Sequence, residues 1–386
     1  MIRSFSKALQ QRQLDGLYRR RRITQGPQQV ESVIDGKQCL AFSSNDYLGL
    51  ANHPKILSAM HDGIDQYGCG SGASHLMNGH SCAHHELEEQ LAEFLQRPRA
   101  LLFSSGYLAN LGVIAALTTK GDRVYEDRLN HASLIDGGLL SGARLIRYDH
   151  ADADSLQQKL DKDFSGQQLV VTDGVFSMDG DIAPLPALKD CCRDSQALLM
   201  VDDAHGIGVL GHQGRGSLEH FSMSASDVPI LMGTLGKSFG CSGAFVAANE
   251  EIIETLINHA RSYIYTTALA PALAVAASAS LGLLQQDNWR REKLKDLIKQ
   301  FKHGAEQLGL QLLPSMTPIQ AVIIGDSQSA VDWSEALWQQ NIHVPAIRPP
   351  TVEQGQARLR VSLSAAHEDH HIERLLHAFE RINHSL

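Results

Sequence analysis

The sequence predicts an α/β protein with a mostly parallel sheet covered by helices, followed by a small α+β domain. Between about residue 84 and residue 248, short apolar runs of strand length alternate with segments whose apolar residues recur at helical spacing. Strands separated by helices pair in parallel and bury both of their faces. After about residue 285 the texture turns to charged helices between isolated strand-like runs. The 386 residues suffice for two to three domains and for a core that needs no covalent staples.

The elements follow in order. Arg3, Lys7, Arg12 and the four arginines at 19–22 give the N-terminus a faint look of an organelle presequence. Asp15 interrupts it and no cleavable apolar stretch follows, so an ordinary first helix is expected. In 85–96, Leu87, Leu91, Phe94 and Leu95 share one helical face, Pro98 stops the helix, and 100–103 is a buried strand. A helix over 107–118, a strand over 123–126, a helix over 132–140 and strands at 144–148 and 169–172 come next. A helix over 185–194 precedes 197–201 (ALLMV), the clearest buried strand, and runs at 230–232 and 244–248 complete the series. The apolar run 268–284 is alanine-rich and carries Pro271, Ser278 and Ser280, which suits a packed helix better than a membrane span. A charged helix over 289–308, a strand at 321–324, a helix over 333–340, a strand at 358–363 and a helix from about 369 to the end make the small domain. Residues 1–41 are expected to form an N-terminal arm, 42–284 the large domain and 285–386 the small one.

Composition narrows the function classes. With 34 Lys+Arg, 43 Asp+Glu, a net charge of −9 and 43% hydrophobic residues, the chain is ordinary for a globular enzyme and is no disordered chain. Neither a nucleic-acid nor a membrane partner is expected of it. Its six cysteines have no paired spacing, which points to reduced thiols in the cytoplasm.

Four motifs match chemistry in letters only. Gly206-Ile-Gly208-Val-Leu-Gly211 follows a strand, but His212-Gln-Gly214-Arg-Gly216 cannot open the helix a dinucleotide site requires. Gly236-Lys237-Ser238 has Leu231 where a P-loop needs its first glycine. His367-Glu368-Asp-His-His371 is a literal HExxH, but it sits at a helix start, is taken as solvated, and lacks a third ligand downstream. His80, Cys82, His84 and His85 cluster without a second pair at zinc-finger spacing, and a polar loop leading into a helix is the preferred reading. No metal is expected.

A different set of segments lies just beyond the carboxyl ends of the strands, where α/β enzymes bind ligands. The strand at 197–201 leads into Asp202-Asp203-Ala-His205-Gly206. Gly233-Thr234-Leu-Gly236-Lys237-Ser238-Phe-Gly240 sets one lysine among small residues. Such a lysine is either a phosphate contact or an imine former. Pyridoxal phosphate enzymes need an imine lysine, an acidic partner for the pyridine nitrogen and a phosphate cradle at a helix N-terminus. Lys237 and Asp202 fit the first two, and Ser105-Gly106-Tyr107 after Phe103 fits the third.

Together with Phe42-Ser-Ser-Asn45-Asp-Tyr47-Leu-Gly49-Leu, Gly70-Ser-Gly72-Ala-Ser74, Asn130-His131-Ala-Ser133, Gly174-Val-Phe-Ser177-Met-Asp179-Gly-Asp181, Ile347-Arg348-Pro-Pro-Thr351 and Arg358-Leu-Arg360-Val, these segments resemble the pyridoxal phosphate-dependent α-oxoamine synthases of fold type I over nearly the whole chain. The Ile-Arg-Pro-Pro-Thr segment resembles the biotin-pathway branch more than the branches that use glycine. The resemblance implies a large cofactor domain, a small C-terminal domain and pyridoxal 5'-phosphate as cofactor. It implies that Lys237 forms the Schiff base and then acts as base, that Asp202 keeps the pyridine nitrogen protonated, and that His131 stacks on the ring. His205 would bond the cofactor's 3-hydroxyl, with Ser177 nearby. Thr234, Ser105, Gly106 and Tyr107 would contact the phosphate, joined by Thr266 or Thr267 from a second copy in a homodimer. Asn45 and Arg360 would hold the amino-acid carboxylate, and Arg19 or Arg20, with Thr351, the acyl substrate.

Singly, each residue has an ordinary structural role: a cap, a turn, a surface lysine, an exposed strand arginine. The constellation carries the assignment. The implied reaction joins L-alanine to a pimeloyl thioester, of coenzyme A or of an acyl carrier protein, with loss of carbon dioxide. Glycine with acetyl-CoA is the alternative, and a catalytically silent binding protein a third. Glu353, where proline is usual, and His75, often arginine, depart from the family and bear on substrate detail.

Overall fold

The computed structural model describes residues 5–15 and 17–383. Two compact units divide the chain: residues 48–177 with 181–291, and the N-terminal segment up to Tyr47 with 178–180 and the residues from Glu292 onward. The N-terminal segment thus belongs with the C-terminal residues.

The larger unit is built on seven strands: β1 (Arg99–Phe103), β2 (Arg123–Asp127), β3 (Arg144–Tyr148), β4 (Gln168–Asp173), β5 (Leu198–Asp202), β6 (Ile230–Thr234) and β7 (Ala244–Ala248). Their order is β1-β7-β6-β5-β4-β2-β3. Neighbours from β6 to β3 are parallel. β7 alone is antiparallel, to β1 and to β6, so β1 runs in the same direction as the parallel strands.

Strand alternation sorts the side chains into two cores. Ala100, Leu102, Leu199, Val201, Phe245 and Ala247 face one core, with Leu87, Leu91 and Phe94 of helix Cys82–Phe94 and Ala274, Leu281 and Leu284 of helix Pro271–Gln286. Leu101, Phe103, Met200 and Val246 face the other, with Ala109, Val113 and Ile114 of helix Gly106–Leu117 and Ile253 and Leu256 of helix Glu250–His259. Each fully buried Leu, Val, Ile, Phe or Met among them stabilises by about 1.5–3 kcal/mol, and both faces being dry is why these strands are largely apolar.

Two helices of this unit carry defined starts. Helix Pro54–Tyr67 starts at Pro54, with the His53 ring accepting from the Lys55 N–H at 3.3 Å. It packs on helix Pro271–Gln286 so closely that a Cβ at Gly63 would lie 2.9 Å from Ala272 Cα. Helix Glu250–His259 is capped by Asn249, whose Oδ1 accepts from the Ile252 N–H at 2.9 Å.

In the smaller unit, strands Glu31–Ile34 and Lys37–Ala41 form a hairpin turned by Asp35-Gly36, both at positive φ, the conformation a two-residue hairpin turn demands. Ile342–His343 joins it in parallel. A second sheet has the order Ile319–Gly325, Ala357–Ser362, Ala346–Ile347, all antiparallel. Helices Ser327–Gln339 and Asp369–Asn383 belong to this unit.

The HExxH segment does start a helix, at Asp369, but its first histidine is not solvated. His367 is buried, stacked on Phe42 at 4.4 Å, with Nδ1 accepting from the Ser364 N–H at 2.9 Å and Nε2 3.1 Å from the Ala41 carbonyl. It pins the helix start to the hairpin. Among the described residues no helix is long and apolar enough to cross a membrane, and none of the six cysteines is in a disulfide.

Candidate active site

Because β1, β2, β4, β5 and β6 run in one direction, their carboxyl ends share one edge of the sheet. That edge gathers Ser105–Tyr107, His131, Ser177, Asp202 with His205, and Thr234 with Lys237.

Lys237 lies in a tight turn between β6 and β7. The Gly240 N–H donates to the Lys237 carbonyl at 2.8 Å, and the Cys241 N–H to the Leu235 carbonyl at 2.8 Å. Gly240 has φ +64°, and a Cβ there would collide with the backbone of Leu50 and Ala51, so position 240 admits no side chain. Lys237 Nζ lies 2.8 Å from His205 Nε2.

Asp202 is 4% exposed. Its Oδ2 accepts from Asn110 Nδ2 at 2.7 Å and its Oδ1 from the Ala204 N–H at 3.0 Å. Asn110 also donates to Ser133 Oγ at 2.8 Å, and Ser133 Oγ lies 2.7 Å from His131 Nδ1. Having accepted from Asn110, the hydroxyl donates onward to Nδ1, which also accepts from the Ser133 N–H at 3.3 Å. That leaves the ring proton on Nε2. One hydrogen-bonded chain therefore runs from the Asp202 carboxylate to the His131 ring.

Burial lowers the pKa of His131, and the Lys237 charge adds to this against the pull of Asp202. Two more carboxyls lie buried beside Asp202. Asp173 accepts the His131 N–H at 2.7 Å and is pushed well above the usual carboxylate range by burial and by the Asp202 charge. Asp203 accepts from the Ser217 N–H at 2.7 Å and hydroxyl at 2.5 Å, and burial raises it to about 7.

At the end of β1, Ser105 caps helix Gly106–Leu117, its hydroxyl accepting from the Leu108 N–H at 3.3 Å. The N–H groups of Gly106 and Tyr107 belong to the first turn, where a helix has no internal partners to offer and an anion is favoured. The Tyr107 hydroxyl donates to Asp136, and its ring meets His131 edge-on at 6.3 Å. Thr234 donates to the Gly243 carbonyl at 3.1 Å and accepts the Gly236 N–H at 3.2 Å. Ser177 and Thr266 are half-buried and Thr267 is exposed. Thr267 offers its carbonyl to Ser104 Oγ at 3.5 Å.

The smaller unit holds the other group. Arg360 is buried on strand Ala357–Ser362, donating to Asn45 Oδ1 at 3.2 Å and Ser362 Oγ at 2.7 Å. The buried Tyr47 hydroxyl donates to the same Asn45 oxygen at 3.2 Å. Arg19 and Arg20 are both exposed, and Arg19 reaches Thr351 Oγ1 at 3.4 Å. Next to Arg360 on the strand, Arg358 pairs with Asp179.

Sequence reasoning missed Asn110, Ser133 and Asp173. A polar residue amid the apolar GYLANLGVIAAL of its helix was the available signal for Asn110.

The residues fit pyridoxal phosphate by the chemistry of their donors. A buried carboxylate suits a protonated pyridine nitrogen, a lysine amine suits imine formation, and a helix N-terminus suits a phosphate.

Beside Phe176, the His150 ring bridges Asp127 Oδ1 at 3.0 Å and Asp181 Oδ2 at 2.9 Å. Burial opposes its protonation, but hydrogen bonds to the two carboxylates, Asp127 first, raise its pKa to about 10 from 6.5. A raised folded-state pKa gives stability that is complete below 6.5 and disappears as pH rises through 10. Wild-type Tm is expected to exceed that of His150→Gln most near pH 6, with the gap closing by about pH 10 in melts across that range. A gap that widened over this interval would refute the bridge.

A sequence profile for aminotransferase class I and II matches residues 37–379. The chain is 58% identical over 381 residues to 8-amino-7-oxononanoate synthase of Thioalkalivibrio sulfidiphilus, covering 98% of this chain and 97% of that one. Its fold is similar to that of SPT with PLP internal aldimine, at a TM-score of 0.94 and 30% identity over 99% of this chain and 98% of that one. It is also similar to 8-amino-7-oxononanoate synthase from Francisella tularensis, at a TM-score of 0.79 and 34% identity over 89% of this chain and 97% of that one.

Proposed function

The chain belongs to the 8-amino-7-oxononanoate synthases within the aminotransferase class I and II family, and from that premise we propose that it joins L-alanine to a pimeloyl thioester. The products are 8-amino-7-oxononanoate, carbon dioxide and the free thiol carrier, and the cofactor is pyridoxal 5'-phosphate. The observation that carries the reading is Lys237 Nζ at 2.8 Å from His205, on the same sheet edge as the buried, doubly hydrogen-bonded Asp202.

When bound, pyridoxal phosphate supplies an aldehyde that condenses with amines and a ring that accepts carbanion charge. The chain's own residues do the rest. Lys237 anchors the cofactor, then takes the proton from the alanine Cα and later returns one. Asp202, fixed by Asn110 and the Ala204 N–H, holds a proton on the pyridine nitrogen. His131, oriented by Ser133, would stack on the ring, and His205, with Ser177, would hold the 3-hydroxyl. Gly106 and Tyr107 N–H groups, Ser105 and Thr234 take the phosphate. Arg360 and Asn45 hold the alanine carboxylate, the guanidinium in its two-pronged geometry. Arg19, already on Thr351, is better supported than Arg20 for the acyl substrate.

The reading includes a homodimer in which Thr266 or Thr267 serves the partner's phosphate. Exposed Leu76, Met77, Leu139, Leu140 and Tyr265 are apolar side chains that a second copy would cover. An N-terminal arm of 1–41, a large domain of 42–284, a small domain of 285–386 and a cytoplasmic location complete it.

The test is product analysis by mass spectrometry. Holoenzyme is given alanine with pimeloyl-CoA, alanine with pimeloyl-acyl carrier protein, and glycine with acetyl-CoA. Turnover of either pimeloyl thioester with alanine, far above the glycine reaction, is expected. Preferred turnover of glycine with acetyl-CoA would overturn the substrate assignment.

A further inference from the structure

We propose that His80, His85 and Glu88 form a binding site for one divalent transition-metal ion of the zinc class, separate from the cofactor residues. His80 precedes helix Cys82–Phe94, and His85 and Glu88 lie three residues apart on it, hence on one face. One nitrogen from each histidine and one Glu88 oxygen all lie within 4.8 Å of one another, with His80 Nε2 3.9 Å from Glu88 Oε2.

The anchoring of its carboxylate makes this more than a chance cluster. Glu88 is anchored: it is buried, and its Oε1 accepts the Leu102 N–H of β1 at 2.9 Å, which leaves Oε2 toward His80.

The tautomers fit as well. His75 and His80 place their Nδ1 atoms 3.0 Å apart, so one must donate to the other. When His80 donates, its Nε2 carries the lone pair a metal needs, and His75 becomes the oriented support that metal-bound histidines commonly have. His75 is itself fixed by stacking on Tyr263 at 4.7 Å.

A tetrahedral zinc ion with bonds of 2.0–2.2 Å needs donors about 3.3–3.6 Å apart. The His80–Glu88 pair, at 3.9 Å, must close by about 0.3–0.6 Å to reach that spacing, and the remaining adjustment falls to His85, whose side chain is 65% exposed. Glu89 Oε1, 3.4 Å from His85 Nε2, or a water completes the set. Two imidazoles and a carboxylate select zinc-like ions over magnesium or calcium. The ion would tie the 75–80 turn to the helix. His84 of this helix donates to the Leu269 carbonyl at 2.6 Å and the Ala268 N–H donates to the Ala73 carbonyl at 2.9 Å, so the clip would stiffen the support of the Thr266–Thr267 segment.

The experiment titrates chelator-treated holoenzyme with Zn2+ in a calorimeter and measures retained zinc after desalting. One Zn2+ per chain is expected. His80→Ala and His85→Ala should each weaken binding at least tenfold, with Cys82→Ser, a nearby exposed thiol, unchanged. His85→Ala removes an exposed side chain, so its folding is not at stake. The same stoichiometry and affinity in both histidine variants, no binding by the wild type, or loss on Cys82→Ser would each overturn the site.

Discussion

Lys237→Ala is expected to give a folded protein whose condensation of alanine with a pimeloyl thioester falls by roughly 10³-fold or more from loss of the positioned base alone. The covalent anchor goes with it, so the visible absorption of lysine-bound cofactor should vanish too. Folding is spared because the turn is held by backbone bonds, Gly240 N–H to the Lys237 carbonyl and Leu235 N–H to the Gly243 carbonyl at 2.9 Å, which alanine keeps. Lys237→Arg is the discriminating companion. It preserves charge and length near His205, but a guanidinium stays protonated and cannot serve as base. A merely electrostatic lysine would be rescued by arginine, whereas a base would not. Product formation and absorbance, set beside thermal melts, read the two apart. Wild-type turnover in Lys237→Ala would remove the catalytic assignment.

What the sequence made legible follows from where its information lies. β5, β6 and β7 are buried along nearly their whole lengths, so their apolar runs stand out. The residues just past them inherit that certainty, which is why Asp202, His205 and Lys237 could be placed together without contacts. Helix Pro54–Tyr67 carries polar residues over most of its surface, and no apolar run marks it. His367 looked solvated because its burial depends on Phe42 and the Ala41 carbonyl, more than 300 residues away. Asn110 depends on Asp202, 92 residues on. The Asp35-Gly36 turn is a different failure. It is a local hairpin signal that short polar flanking strands made easy to pass over. The same long-range dependence hid the metal-binding geometry, since Glu88 is a helix residue like any other until Leu102 fixes it.

Asp202→Asn should lower turnover by about 10²–10³-fold, the usual cost of deleting one preorganised electrostatic partner, without a matching loss of stability. The amide keeps the shape but cannot accept at both positions, so either Asn110 Nδ2 or the Ala204 N–H, now 2.7 and 3.0 Å from carboxylate oxygens, would face a second donor. That change destabilises. Against it stands the relief of like charge, because the Asp202 carboxylate is itself a cause of the raised pKa of both Asp173 and Asp203. The two effects oppose each other in folding but not in catalysis, where the missing charge leaves the pyridine nitrogen without the partner that keeps its proton. Asn110→Ala separates them further. It retains the Asp202 charge and removes the link to Ser133 and His131, so it should cost much less activity, about tenfold for one charge-assisted hydrogen bond. Thermal melts and turnover of the two variants, measured together near neutral pH, decide the matter. Equal losses in both would mean that the network, rather than the carboxylate charge, is what the reaction requires.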